Sequence, residues 1–215
     1  MQRSPVTFTL REAASTPAGA LVLMHGRGAD ADDLAPLLDI LDPGQRLLGA
    51  LPRGPFRLPP GGRHWYIVRQ VGFPDPGTFL ASFQELSQHV DALLADRDIP
   101  SERTVVGGFS QGAVMAYSLA LGAGHPRPAA IIAFSGFIPS VEGFELALAD
   151  RAGLPVSISH GSLDPVISVN FGRDARDRLS AAGLAVIYRE DPVGHTITPA
   201  ALAQTRAVLE AALPA

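Results

Sequence analysis

Three segments of this chain carry reactive side chains in settings that acyl-transfer chemistry needs. Gly108-Phe109-Ser110-Gln111-Gly112 is a G-x-S-x-G placed between an apolar run, TVVGGF, and a second one, AVMAYSLAL. In that context the serine occupies a sharp strand-to-helix turn with strained backbone angles, and the glycines let neighbouring backbone approach closely. The turn lifts the hydroxyl above the end of a sheet, beside a helix N-terminus where developing negative charge is favoured. A structural tight turn with a serine cap is the bland alternative for the same residues.

A serine hydroxyl is a weak nucleophile and needs a base. Of the six histidines, His195 lies in the polar segment Asp191-Pro192-Val193-Gly194-His195-Thr196, between the last apolar run and the last helical stretch. The chain order serine, acid, histidine requires a carboxylate between them. Asp164, in HGSLDPV directly after PVSIS, fits a strand end. There it would hold the imidazole in one tautomer and stabilise its charged form. Asp191, on the same loop as His195, and Asp150, after a helical stretch, are the competitors and rank lower. A developing oxyanion needs two donors. One is the N–H of Gln111, and the other belongs to the loop His25-Gly26-Arg27-Gly28. Losing one such donor typically costs ~3–4 kcal/mol of transition-state stabilisation. His25, at a strand end before glycine, reads as a brace for that loop.

The elements that must position these groups alternate. Ala20–His25, Leu47–Leu51, Thr104–Phe109, Ala129–Phe134, Val156–His160 and Leu184–Arg189 read as buried strands, and Trp65–Val68 as a short one. Between them, Asp30–Leu41, Gly77–Asp96, Gln111–Leu121 and Val169–Ala182 show helical apolar spacing, and Thr198 with Pro199 starts a last helix running to about Ala212. The Pro- and Gly-rich stretch Pro52–Gly62 reads as a loop, with the stiffness of a rim. This alternation predicts an α/β fold with a mostly parallel central sheet and helices on both faces. No internal repeat, charge block or linker interrupts it, so residues 1–215 are expected to form a single domain.

Composition agrees: 47% apolar and 18% charged residues belong to a globular chain. The net charge of −4 argues against nucleic acid as a partner. With no cysteine, the sequence excludes disulfides, thiolate metal sites and a cysteine nucleophile. The N-terminus lacks a basic start followed by an apolar run, and no apolar stretch approaches the ~20 residues of a membrane span. A cytoplasmic location and no stable membrane insertion are therefore expected. No G-x-G-x-x-G follows the first strand, which speaks against a dinucleotide enzyme.

The segments MHGRGAD, GGFSQGAVMAYSLAL, FSGFIP, HGSLDPV and the final GH resemble the phospholipase/carboxylesterase family of α/β-hydrolases, which includes acyl-protein thioesterases. The resemblance runs from about Leu21 to Leu209. It implies an α/β-hydrolase fold, with Ser110, Asp164 and His195 as a triad and the N–H groups of Arg27 and Gln111 as an oxyanion hole. It also implies hydrolysis of a small ester or thioester without metal or cofactor, and frequent homodimers. It further implies an aromatic of His64-Trp65-Tyr66 in the substrate cleft, for which Trp65 is the candidate; Phe73 and Phe137 are further candidates for apolar lining, with core packing as the bland alternative. Acyl-protein thioesterases carry an apolar residue where this chain has Arg27. That arginine either pairs with Asp30 or Asp33, or points into the cleft and biases it towards polar or anionic substrates. A perhydrolase, amidase or acyltransferase on the same scaffold, or a binding protein that lost catalysis, are the rival readings.

Overall fold

Runs such as ALVLM and AIIAF are apolar at every position, which suits strands covered on both faces. In the computed structural model, which describes residues 3–214, both are completely buried. The first half of the chain holds β1 (Thr7–Arg11), β2 (Ala20–Met24), α1 (Ala35–Leu41), β3 (Leu48–Arg53), β4 (Phe56–Leu58), β5 (Gly62–His64), β6 (Val68–Gln70), β7 (Phe73–Pro74) and α2 (Pro76–Asp96). The second half holds β8 (Thr104–Phe109), α3 (Gln111–Leu121), β9 (Ala130–Phe134), β10 (Pro155–Gly161), α4 (Val169–Ala181), β11 (Ala185–Asp191) and α5 (Pro199–Ala212).

Seven strands form the central sheet in the order β1-β3-β2-β8-β9-β10-β11. Only β1 runs antiparallel, against β3; every other pairing is parallel. Successive strand residues feed opposite layers. Val22, Met24, Val106 and Ile131 join the core built with α2, α3 and α4, while Leu21, Leu23, Val105 and Ile132 join the core built with α1 and α5. This is the α/β-hydrolase arrangement, a mostly parallel sheet with helices on both faces. No described helix is long and apolar enough to cross a membrane.

Differences from the sequence-based expectation concentrate in one stretch. Pro52–Gly62 is not wholly loop: β3 extends to Arg53, and Phe56–Leu58 pairs antiparallel with Gly62–His64 as a hairpin. The expected strand at Trp65–Val68 is absent; Trp65 and Tyr66 lie between β5 and β6, and β6 starts only at Val68. The edge strand β1 lacks the apolar run of the inner strands: two of its five residues are exposed and none is buried. Prolines mark edges and turns, and whether such a segment pairs depends on a partner that local composition does not reveal.

Parallel strands deliver their carboxyl ends to one edge of the sheet. β2 ends at the His25–Gly28 loop, β8 at Ser110, β10 just before Asp164 and β11 just before His195. Residues separated by 85 positions thus arrive at the same edge.

Candidate active site

Ser110 adopts φ 57° and ψ −120°, a conformation L-residues avoid. Its surroundings over-determine it. The Ser110 N–H donates to the Phe134 carbonyl at 2.9 Å, and the Ser110 carbonyl accepts from Ala113 at 3.0 Å and Val114 at 3.3 Å. A Cβ on Gly108 would come within 2.6 Å of the Met24 carbonyl, and one on Gly112 would overlap that same carbonyl. The two glycines of the motif are therefore needed for β2 to pass this close. Ser110 is the N-cap residue of α3 and is 7% exposed, so its hydroxyl lies in a sheltered spot at a helix N-terminus.

The loop after β2 is clamped from three sides. The buried His25 ring accepts the Gly54 N–H on Nε2 at 2.9 Å, which leaves the proton on Nδ1 to donate to the Gly26 carbonyl at 2.8 Å. Burial holds this imidazole below its usual pKa, so it stays neutral. The indole Nε1 of Trp65 donates to the His25 carbonyl at 2.8 Å. From the β4–β5 hairpin, the Arg63 carbonyl accepts the Gly28 N–H at 2.8 Å and the Arg63 N–H donates to Ala29 at 2.9 Å. Gly26 is held against Ser110, since a Cβ there would lie 3.3 Å from the serine Cβ. Among the described residues, no loop or turn hydrogen bond engages the N–H of Arg27 or of Gln111. The Gln111 side chain, 4% exposed, accepts the Trp65 N–H at 3.0 Å and donates to the Tyr66 carbonyl at 3.0 Å.

Asp164 and His195 meet. His195 Nδ1 donates to Asp164 Oδ2 at 2.6 Å, and the carboxylate side chain has no solvent exposure. Its other oxygen accepts the N–H groups of Val166 at 2.8 Å and Ile167 at 2.9 Å. Burial alone would raise the pKa of this carboxyl, but the bonds from His195, Ile167 and Val166 outweigh it and hold it below the ordinary range. His160, unremarked in the sequence, supports the acid from behind: its Nε2 donates to the Ile167 carbonyl at 2.8 Å and lies 3.6 Å from Asp164 Oδ2. Burial holds His160 below its usual pKa as well. The His195 ring lies 4.7 Å, centre to centre, from the ring of Phe109, the residue preceding the serine. No hydrogen bond joins His195 to the Ser110 hydroxyl in this structure. Asp191, the competing acid, is engaged elsewhere by Arg189 at 2.6 Å and by the Thr198 hydroxyl that caps α5; Asp150 lies exposed on a short 3₁₀ turn.

A cleft of about 300 Å³ opens beside Ser110 and Gln111. Phe137 lines it, together with Val68, Val71, Val166 and Ile167. Arg27 and Tyr66 border it too.

A family model described as Phospholipase/Carboxylesterase matches residues 7–213. The chain belongs to this family. Among its relatives, acyl-protein thioesterase 1 of Mycosarcoma maydis is 29% identical over 227 aligned residues, covering 93% of each chain. Acyl-protein thioesterase 1 of Debaryomyces hansenii is 29% identical over 126 residues, and there the match spans 55% of this chain and only 53% of that protein. Among solved structures, esterase PE8 superposes with a TM-score of 0.84 at 27% identity, over 98% of this chain and 100% of that one.

Two candidate pocket residues, Trp65 and Phe73, lie outside the cleft lining, although an aromatic of the His64–Tyr66 segment does line it. Trp65 is fully buried and does not line the cleft; its indole braces the His25–Gly28 loop, and Tyr66 takes the lining position. Phe73 is 61% exposed, with its neighbours Val71 and Pro74 in the lining instead. In this member of the phospholipase/carboxylesterase family Arg27 makes no ion pair among the described residues. Asp30 is taken by Arg53 at 2.6 Å and Asp33 by the Asp30 N–H at 2.7 Å.

Proposed function

We propose that this protein hydrolyses carboxylic esters, with thioesters within its range, through an acyl-enzyme on Ser110. The observation that carries the reading is the backbone of Ser110. A non-glycine residue held at φ 57°, ψ −120° costs of order 1–3 kcal/mol, and such strain is retained where a side chain must be presented for chemistry. An imidazole packed on Phe109, the residue before the serine, has its Nδ1 tied to a buried carboxylate, which leaves Nε2 as the acceptor.

In this mechanism substrate binding closes the contact between the Ser110 hydroxyl and His195 Nε2; such bonds are often long or misaligned without substrate. The imidazole takes the hydroxyl proton as Oγ bonds to the carbonyl carbon. The carbonyl oxygen becomes an oxyanion that accepts the N–H groups of Arg27 and Gln111, which have no competing partner in their own loop and turn. Collapse expels the alcohol or thiol, which leaves with the proton from His195. Water, deprotonated by His195, then attacks the acyl-enzyme and releases the acid. Asp164 keeps its charge throughout and stabilises the imidazolium.

Ser110→Ala is expected to lower kcat/KM on p-nitrophenyl butyrate by ~10³-fold or more while circular dichroism stays unchanged. Labelling of the wild type by a fluorophosphonate probe, absent in Ser110→Ala, identifies the nucleophile directly. Turnover retained in a clean Ser110→Ala preparation rejects the assignment. A homodimer fits the exposed apolar side chains Leu163 and Val166, the latter at the cleft, and light scattering on the purified chain tests it.

A further inference from the structure

Arg27 is the only charged residue bordering the cleft, and no carboxylate of the described residues pairs with it. Much of the wall around it is apolar: Val68, Val71, Phe137, Val166 and Ile167. Arg27 is an exposed residue at the mouth of this wall, and its planar guanidinium fork matches a carboxylate in two parallel hydrogen bonds.

We propose that this cleft selects esters bearing a carboxylate. Arg27 holds that carboxylate, and the apolar wall accommodates the connecting carbons. The inference rests on the ester-hydrolase reading and names the substrate class of that site.

Two matched pairs of esters test it. Mono-p-nitrophenyl glutarate against p-nitrophenyl methyl glutarate varies the charge on the acyl side. 4-Acetoxybenzoate against its methyl ester varies it on the leaving group. In the wild type at low salt, kcat/KM for the charged member of one pair is expected to exceed that for its neutral partner by about tenfold or more. That ratio should fall towards one in Arg27→Leu and survive in part in Arg27→Lys. The ratio is the readout because a general loss through the loop leaves it unmoved. A ratio near one in both wild-type pairs, or one that persists in Arg27→Leu, overturns the inference.

Should the wild type turn over none of the four esters and resist fluorophosphonate, the hydrolase reading falls by itself. The anion site is then judged by NMR titration with monomethyl glutarate and with dimethyl glutarate. Tighter binding of the anion that Arg27→Leu abolishes upholds it, and equal binding overturns it.

Discussion

At Ser110 and Asp164 the energetic cost of the site is concentrated in single residues. The left-handed backbone of Ser110 is tolerated far more cheaply by glycine than by any residue with a Cβ. Ser110→Gly should therefore be more stable than Ser110→Ala by about 1 kcal/mol, both being inactive, as read from urea midpoints. Asp164 is ionised below the usual carboxylate range, so its charge contributes stability above about pH 4 and loses that contribution as pH falls through its lowered value. Asp164→Asn is expected to be less stable than the wild type at pH 7, with the gap in Tm narrowing below pH 4. Its kcat should fall by ~10³–10⁴-fold, because the amide leaves the imidazolium without a counter-charge. A pH-independent gap in Tm would show that the side chain acts by shape alone.

The β4–β5 hairpin and the turn after it hold the His25–Gly28 loop in place. The hairpin supplies the Arg63 backbone to Gly28 and Ala29, and the turn supplies the Trp65 indole to the His25 carbonyl. Trp65→Phe keeps an aromatic in the core but leaves that buried carbonyl unpaired, at a cost of about 1–3 kcal/mol. If the loop carries an oxyanion donor, kcat should fall while KM changes little, since the contact matters most in the transition state. Steady-state kinetics on p-nitrophenyl butyrate separates the two parameters. A rise in KM with kcat kept would mean that Trp65 supports binding instead. The hairpin itself sits where prolines and glycines predict a loop, because its pairing is a property of two short strands meeting and of neither alone.

Over the whole molecule, one sheet is shared by two cores. Trp65 reports on the layer of α2, α3 and α4, whereas Leu209 of α5 lies in the opposite layer, 1% exposed. Leu209→Ala should cost about 2–5 kcal/mol. Because both layers pack on the same strands, tryptophan fluorescence and far-ultraviolet circular dichroism should report coincident urea midpoints, both shifted. Separate midpoints would mean that the layers unfold independently.

By itself the sequence determined the features that depend on neighbours along the chain. The alternation of apolar runs with helical stripes specifies strands that need cover on both faces. The glycines around Ser110 specify a turn too tight for side chains, and Asp164 and His195 stand in loops directly after strands. These are consequences of backbone sterics and periodicity, so they are legible without coordinates. Tertiary structure decided which surfaces meet. It gave His195 to Asp164 because Asp191 is held by Arg189 and Thr198, and turned Trp65 inward to brace a loop 40 residues away. It left Arg27 without a carboxylate because Arg53 and the Asp30 backbone had taken the nearby acids. Each of these outcomes is a competition among distant groups for the same partner, and only the folded geometry sets who is within reach.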